Sequence, residues 1–200
     1  MIRRLATSAR ALRSETRGAA VLEFALAAPV LLVGILGLFD LGHNMYTASV
    51  LHGSIQKAAR DSTIEGAEAN ISTLDGRVTR IVRMIAPGAD TSFNRTSYSA
   101  FTDVRTPEDF TDIDGDGLCN NGEPFEDANG NGTWDADRGQ SGQGGARDAV
   151  MYEVTVTYDR VFPFWSLVGQ SDTFTTKVRT VLRNQPYNLQ ATRKAAGTCA

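Results

Sequence analysis

Residues 19–39 read AAVLEFALAAPVLLVGILGLF, an apolar stretch of 21 residues in which Glu23 is the only charged side chain. An α-helix rises ~1.5 Å per residue, so this length matches the ~30 Å hydrocarbon core of a bilayer. A cleaved secretory signal is the main alternative, but its apolar region is about 7–15 residues long and ends at an A-x-A-like site. No such site ends the run directly before Asp40, so the stretch predicts one transmembrane helix.

The chain carries opposite charges before and after this span. The first 18 residues contain five arginines and one glutamate, whereas residues 103–137 contain eleven acidic residues and one arginine. Arginines next to an apolar run favour the cytoplasmic side, which predicts a cytoplasmic N-terminus and an exported body. A basic arm that binds nucleic acid is the alternative for the leader. We favour the membrane interpretation because the arginines stop where the apolar run begins.

These patterns predict four segments. Residues 1–18 form a basic cytoplasmic leader, and residues 19–39 form the transmembrane helix. Residues 40–70 continue it as an amphipathic helix, because apolar side chains recur there at steps of three and four. Residues 71–200 form an exported body that carries an acidic insertion at 112–138.

Glu23 places a carboxylate inside the apolar run, where a charge is costly unless it has a partner. Cleavage after Gly18 would create such a partner. The new amine of Ala19 would lie four residues before Glu23 on the same helix face, about 5–6 Å away, and could neutralise the carboxylate within or between subunits. The alternative is a carboxylate that reaches the headgroups from inside the helix.

Residues 17–24, RGAAVLEF, resemble the prepilin cleavage motif, in which a membrane peptidase cuts after glycine and glutamate stands fifth in the mature chain. Together with ALAAPVLL at 25–32 and Ala-Ala-Arg at 58–60, residues 16–62 resemble the TadE-like pseudopilins of tight-adherence (Flp-type) pilus systems. The resemblance implies a processing site formed by Gly18, Ala19, Glu23 and Phe24. It also implies a minor pilin or assembly factor of the bacterial inner membrane that is cut by a prepilin peptidase and acts with other pilus proteins.

The resemblance implies no catalysis by the protein itself. His43 and His52 are the only histidines in the sequence, and their spacing of nine residues places them on opposite sides of a helix. We therefore expect a protein that is not an enzyme, with the membrane and pilus proteins as partners and with neither nucleic acid nor a small-molecule substrate. The alternative function is a membrane-tethered, calcium-dependent binding module or adhesin that does not enter a filament.

The exported body reads as a small α+β fold of pilin-like plan. Apolar spacing predicts a short helix at 74–86, and alternation predicts half-buried strands at 150–158 and 174–182. A third strand is expected near 98–104. The connection at 161–168, VFPFWSLV, is unusually apolar; we expect it to fold over the sheet edge as core, or else to present a patch to a partner.

Residues 112–123 read DIDGDGLCNNGE, the spacing of a twelve-residue calcium loop. Alternate residues turn their oxygens inward, glycine at position 6 permits a sharp turn, and glutamate at position 12 closes the shell with two oxygens. The predicted ligands are Asp112, Asp114, Asp116, the Leu118 carbonyl, Asn120 and Glu123. An acidic, solvated loop is the alternative.

A weaker copy of this pattern follows, and its predicted ligands are Asp127, Asn129, Asn131, Thr133 and Asp135. Position 12 is Arg138, so closure of this loop requires Asp137 or an acid such as Glu126. The tandem is similar to the calcium repeats of secreted bacterial proteins and to thrombospondin type 3 repeats. Pro107 and Pro124 flank the first loop, which disfavours the two helices of an EF-hand switch and predicts structural ions.

The sequence contains two cysteines, Cys119 and Cys199, and both fall in the part expected to be exported. An oxidising compartment allows them to form one disulfide, and the alternative is two unpaired thiols. Sequence alone does not supply the geometry that a bridge requires.

Overall fold

A computed structural model describes residues 17–64, 66–162, 165–186, 190 and 195–200. These residues form two compact units. The first contains the chain up to Asn44 together with residues 160–172, and the second contains Met45–Asp159 and Thr173–Ala200. Most of the predicted leader, residues 1–16, lies outside the described residues.

The first helix, α1, extends over Arg17–Ser62 and contains Pro29 within its length. It is long and apolar enough to cross a membrane, and none of its most apolar window is buried by the protein. Leu38 and Phe39, at the end of the apolar run, are 71% and 65% exposed. A helix that meets lipid needs such an apolar surface, so length, composition and exposure indicate a single membrane anchor.

The second unit is built on a four-stranded antiparallel sheet with the order β3-β1-β4-β5. Its strands are β1 (Asp90–Tyr98), β3 (Gln140–Ser141), β4 (Ala149–Asp159) and β5 (Thr173–Arg183). The predicted strands at 150–158 and 174–182 are confirmed as β4 and β5. The third strand was predicted near 98–104, which is wrong: β1 ends at Tyr98, and a 3-10 helix follows at Phe101–Asp103.

One face of the sheet is covered by helices. The second helix, α2, extends over Ile71–Ile85, close to the predicted 74–86, and presents Val78 and Val82 to the core. The last turns of α1 add Leu51 and Ile55, which are fully buried. The core continues into the sheet with Tyr152, Val154, Val156, Tyr158 and Val178. This packing confirms the α+β fold with a long N-terminal helix, a second short helix and a small antiparallel sheet.

A buried polar contact fastens α2 to the sheet. Arg95 of β1 donates to both carboxylate oxygens of Asp75, at 2.9 and 2.6 Å, and the Tyr152 hydroxyl donates to the same carboxylate at 2.7 Å. The Arg95 guanidinium also lies 4.1 Å from the centre of the Tyr152 ring. Because Arg95 and Tyr152 both donate to Asp75, the negative charge of this carboxylate is compensated where helix and sheet meet.

A second, two-stranded antiparallel sheet is formed by β2 (Pro124–Asp127) and β6 (Ala195–Thr198). Gly197 lies directly over the Phe125 ring, which an added Cβ would strike. A disulfide joins Cys119 to Cys199, with Cα atoms 5.3 Å apart. The end of the chain is therefore attached to the acidic insertion.

We expected the connection between β4 and β5 to fold over the sheet edge as core, and this prediction is wrong for its described residues. Its residues 160–172 group with the helix residues of the first unit, and Val161 is 53% exposed. Pro163 and Phe164 lie outside the described residues.

Candidate calcium loops and processing segment

The first acidic loop is wound around Asp112. Its Oδ1 accepts a hydrogen bond from the amide of Gly115 at 2.7 Å, and its Oδ2 accepts one from the amide of Gly117 at 3.0 Å. Both glycines have positive φ, 77° and 78°, a conformation that side chains other than glycine rarely adopt. The two glycines thus allow the chain to turn around the first carboxylate.

The carboxylates of Asp112, Asp114 and Asp116 lie close together, with one oxygen of each within 4.8 Å of the others. Asp114 Oδ1 accepts the Asp116 amide at 3.3 Å, and Asp116 Oδ1 accepts the Leu118 amide at 2.8 Å. The Leu118 amide, followed by the Asn120 side chain, lowers the pKa of Asp116. Three ionised carboxylates at this spacing repel one another unless a cation lies among them.

Glu123 closes this loop from inside. Its side chain is 2% exposed. Oε1 accepts the amides of Ile113 and Asp114, and Oε2 accepts the amide of Asn120. These donors occupy loop positions 2, 3 and 9.

The second loop repeats these contacts. Asp127 accepts the amides of Gly130 at 2.6 Å and Gly132 at 2.9 Å, and both glycines again have positive φ, 78° and 79°. Asn129 and Asn131 take the places of Asp114 and Asp116: each accepts the amide two residues further on, at 3.0 and 2.7 Å. The second loop therefore has the shape of the first with fewer charges.

Glu108, which precedes both loops, closes the second one. Its Oε1 accepts the amides of Ala128 at 2.8 Å and Asn129 at 3.4 Å, and its Oε2 accepts the amide of Asp135 at 3.1 Å. The donors are again positions 2, 3 and 9, and Glu108 is 1% exposed. The expected closure by Asp137 or Glu126 is thus replaced by a residue 19 positions upstream of Asp127.

The residues at the end of the second loop make other contacts. Asp137 accepts hydrogen bonds from the Tyr98 hydroxyl at 3.1 Å and from the Gly139 amide at 3.1 Å. Arg138, at position 12, donates to the Pro107 carbonyl and pairs with Asp109 at 2.8 Å. Its guanidinium is thereby engaged by Pro107 and Asp109.

A longer repeat in the sequence could have revealed Glu108. The segments EDFTD at 108–112 and EPFED at 123–127 each place glutamate four residues, and phenylalanine two residues, before the first loop aspartate. In the structure these segments lie antiparallel, with a bridge between Phe110 and Phe125. The Thr111 amide donates to the Pro124 carbonyl at 2.9 Å and the Glu126 amide to the Asp109 carbonyl at 2.8 Å. Each repeat therefore lends its glutamate to the loop of the other.

The candidate processing segment lies at the start of α1. Gly18, Ala19, Glu23 and Phe24 all belong to this helix, and Phe24 is 68% exposed. A Cβ added at Gly18 would meet no atom of the described residues within 4 Å. Among those residues, neither close packing nor positive φ requires a glycine at this position.

Residues 18–60 match the family model for TadE-like proteins. The match begins at the candidate cleavage glycine and covers nearly all of α1. It suggests a component associated with the tight-adherence pilus, in a family that is not known as enzymatic. No curated protein and no solved structure gave a significant match to the chain.

The acidic loops lie outside the TadE-like segment, so the family match does not bear on what they bind. The aspartate, asparagine and glutamate side chains of each loop supply carboxylate and amide oxygens, the ligand type that calcium prefers. The amide nitrogens of Asn120 and Asn131 donate to Asp116 and Asp135. Asn120 Oδ1 is buried and receives no hydrogen bond from the described residues. A buried acceptor without a donor is costly, and a cation in the first loop would satisfy it. The residues present therefore fit a calcium ion.

Proposed function

We propose that this chain is a minor pilin (pseudopilin) or assembly component of a tight-adherence pilus system, processed after Gly18 by a prepilin peptidase. The observation that carries this proposal is the TadE-like match over 18–60, which coincides with an apolar helix of membrane-spanning length. The mature chain sits in the bacterial inner membrane with its N-terminus cytoplasmic and its body periplasmic, or extracellular once it is in a pilus. Other pilus proteins are its partners.

Cleavage after Gly18 supplies the missing partner of Glu23. The amine of Ala19 then stands four residues before the carboxylate on one face of α1, either in the same subunit or in its neighbour. An intramembrane carboxylate that has lost this partner is costly in lipid, which favours subunits assembled with the charges paired.

The mature N-terminus of protein purified from its native host tests this proposal. Mass spectrometry is expected to find a chain that begins at Ala19. Gly18→Leu is expected to block cleavage, whereas Gly34→Leu in the same helix is not. Neither glycine has an atom of the described residues within 4 Å of an added Cβ, so the two variants are matched for packing against that part of the chain. A wild-type chain that retains residues 1–18 would remove the pilin assignment and favour the membrane-tethered binding module or adhesin.

We further propose that the insertion at 112–138 holds two structural calcium ions. Asp112, Asp114, Asp116, the Leu118 carbonyl, Asn120 and Glu123 hold the first. Asp127, Asn129, Asn131, Thr133, Asp135 and Glu108 hold the second. The ions neutralise carboxylates that would otherwise repel, and affinity is expected in the weak range of extracellular modules, about 10⁻⁴–10⁻³ M.

A further inference from the structure

The described residues of the connection between β4 and β5, 160–162 and 165–172, form a loop that closes on itself. The Arg160 amide donates to the Asp172 carbonyl at 2.7 Å, and the Gln170 amide donates to the Trp165 carbonyl at 2.9 Å. Asp172 also accepts the Ser166 amide through its side chain at 3.1 Å. The loop and the part of α1 up to Asn44 form one compact unit.

Asp40 of α1 is the attachment point of this loop. Its side chain is completely buried, and its Oδ2 accepts hydrogen bonds from Asn44 Nδ2 at 3.1 Å, from Trp165 Nε1 at 3.1 Å and from Arg160 Nη1. The Arg160 guanidinium also lies 4.8 Å from the centre of the Trp165 ring. An aspartate buried in this way is stable only while its charged partner stays in place, so the loop is fixed to one point along the helix.

Asp40 marks the end of the lipid-facing surface. It is the first charged residue after Glu23, and the sixteen residues between them carry no charge. From Ala19 to Asp40 the helix rises about 32 Å, close to the thickness of the hydrocarbon core. If residues 19–39 span the bilayer, Asp40 lies at the outer boundary between acyl chains and headgroups, and every group attached to it lies at that depth.

We infer that residues 160–172 form a membrane-interface anchor that contacts the phospholipid surface. Val161 is 53% exposed beside Arg160, and Phe162 and Trp165 are half-buried, so the loop offers apolar side chains at the depth of the headgroups. Tryptophan is enriched at this depth because its ring is apolar and its N–H is polar; here the N–H is taken by Asp40. The loop thereby sets how far α1 can slide through the bilayer. The inference requires only that α1 spans a membrane, and it depends on neither the pilus role nor calcium.

Fluorescence quenching in lipid vesicles tests the depth of the loop. The full chain contains two tryptophans, so Trp134→Phe leaves Trp165 as the only reporter. In phosphatidylcholine vesicles, a nitroxide on the lipid headgroup should quench Trp165 at least about twofold more strongly than a nitroxide near the end of the acyl chain. The matched variant Trp165→Phe leaves Trp134 as the only tryptophan, and its quenching provides the comparison.

Equal or stronger quenching of Trp165 by the deep nitroxide would contradict an interfacial position. Absence of quenching by both lipids would show that water or protein covers the loop, and would overturn the inference. The role of Asp40 is tested separately in the Trp134→Phe chain. Asp40→Asn should lower headgroup quenching of Trp165 by about half or more, because the pairing with Arg160 is lost, whereas Asp61→Asn in the same helix should leave it unchanged. If Asp40→Asn has no effect, Asp40 is not the attachment point.

Discussion

At the scale of single residues, Glu108 makes the most specific contacts with the acidic insertion at 112–138. A carboxylate that is 1% exposed needs partners, and three backbone amides of the second loop provide them. Glu123 holds the same three positions of the first loop. Glu123 lies within the twelve consecutive residues of the first loop, whereas the glutamate that closes the second loop is brought to it only by the fold.

Glu108→Gln is expected to reduce calcium stoichiometry from two ions to one and to weaken the second site by roughly tenfold or more, because an amide cannot supply two anionic oxygens. Isothermal titration calorimetry measures the stoichiometry. Terbium(III) luminescence excited through Trp134, which is part of the second loop, reports that site alone. Glu126→Gln is the matched control from the same segment and should retain both ions.

Two outcomes distinguish the calcium proposal from the specific role of Glu108. If the wild-type protein binds no calcium, the calcium proposal fails as a whole. If the wild type binds two ions and Glu108→Gln also binds two with unchanged affinity, the second loop is closed by some other group and only the role of Glu108 is wrong.

Tyr98 should respond to alkaline pH. Burial, followed by the charge and hydrogen bond of Asp137, raises its pKa from 10.0 to about 12. Since the folded value lies above the unfolded one, the stabilisation is complete below pH 10 and is lost as pH rises towards 12. Absorbance titration near 295 nm should show this late ionisation in the native protein but not in urea, and Tyr98→Phe should remove it. A native titration that matches the unfolded one would contradict the assignment.

At the scale of elements, sequence periodicity predicted the parts of the fold that have one buried face. In β4, Tyr152, Val154 and Val156 alternate with less buried residues, and α2 buries Leu74, Val78 and Val82 at helical steps. The strand β1 was predicted too far along the chain because its own sequence, DTSFNRTSY, is mostly polar. Its place in the sheet is secured by long-range contacts such as Arg95 with Asp75, which no local pattern reveals.

The strand β6 should depend on the disulfide. Cys119 and Cys199 are 80 residues apart in sequence, and the Cys199 amide and carbonyl are hydrogen-bonded to Glu123 and Gly122. Cys199→Ser is expected to lower the free energy of unfolding by about 2–5 kcal/mol and to release β6 from β2. Chemical denaturation in the presence of calcium measures the change, and hydrogen exchange of the β6 amides shows where it occurs. Reduction of the wild-type protein should reproduce both effects, and reduction without effect would contradict them.

At the scale of the whole molecule, charge is unevenly distributed. The net charge is −3, yet residues 103–137 contain eleven acidic side chains and one arginine. That concentration predicts a part of the chain whose order depends on cations while the sheet core does not.

Chelation should therefore loosen the insertion alone. With calcium, a glutamyl endopeptidase is expected to leave residues 106–138 intact; with excess chelator it should cut there first, and fragments of the sheet should persist. A matched increase in sodium chloride is the control for general screening. Equal protection in both conditions would show that the hydrogen bonds of the loops suffice without an ion.

At this scale, consecutive residues encode only part of the structure. The membrane helix and the ligand spacing of both loops follow from consecutive residues, so they could be read directly. The contacts of Glu108 with the second loop, and of Trp165 with Asp40, join residues that are 20 to 125 positions apart, and only the folded chain brings them together. The longer repeat that begins at Glu108 and Glu123 was the one signal that could have revealed the first of these contacts.

The exchange of glutamates makes the two repeats depend on each other. One repeat on its own would keep its glutamate but would lack the glutamate that closes its loop. Deletion of either repeat should therefore open the loop of the other as well.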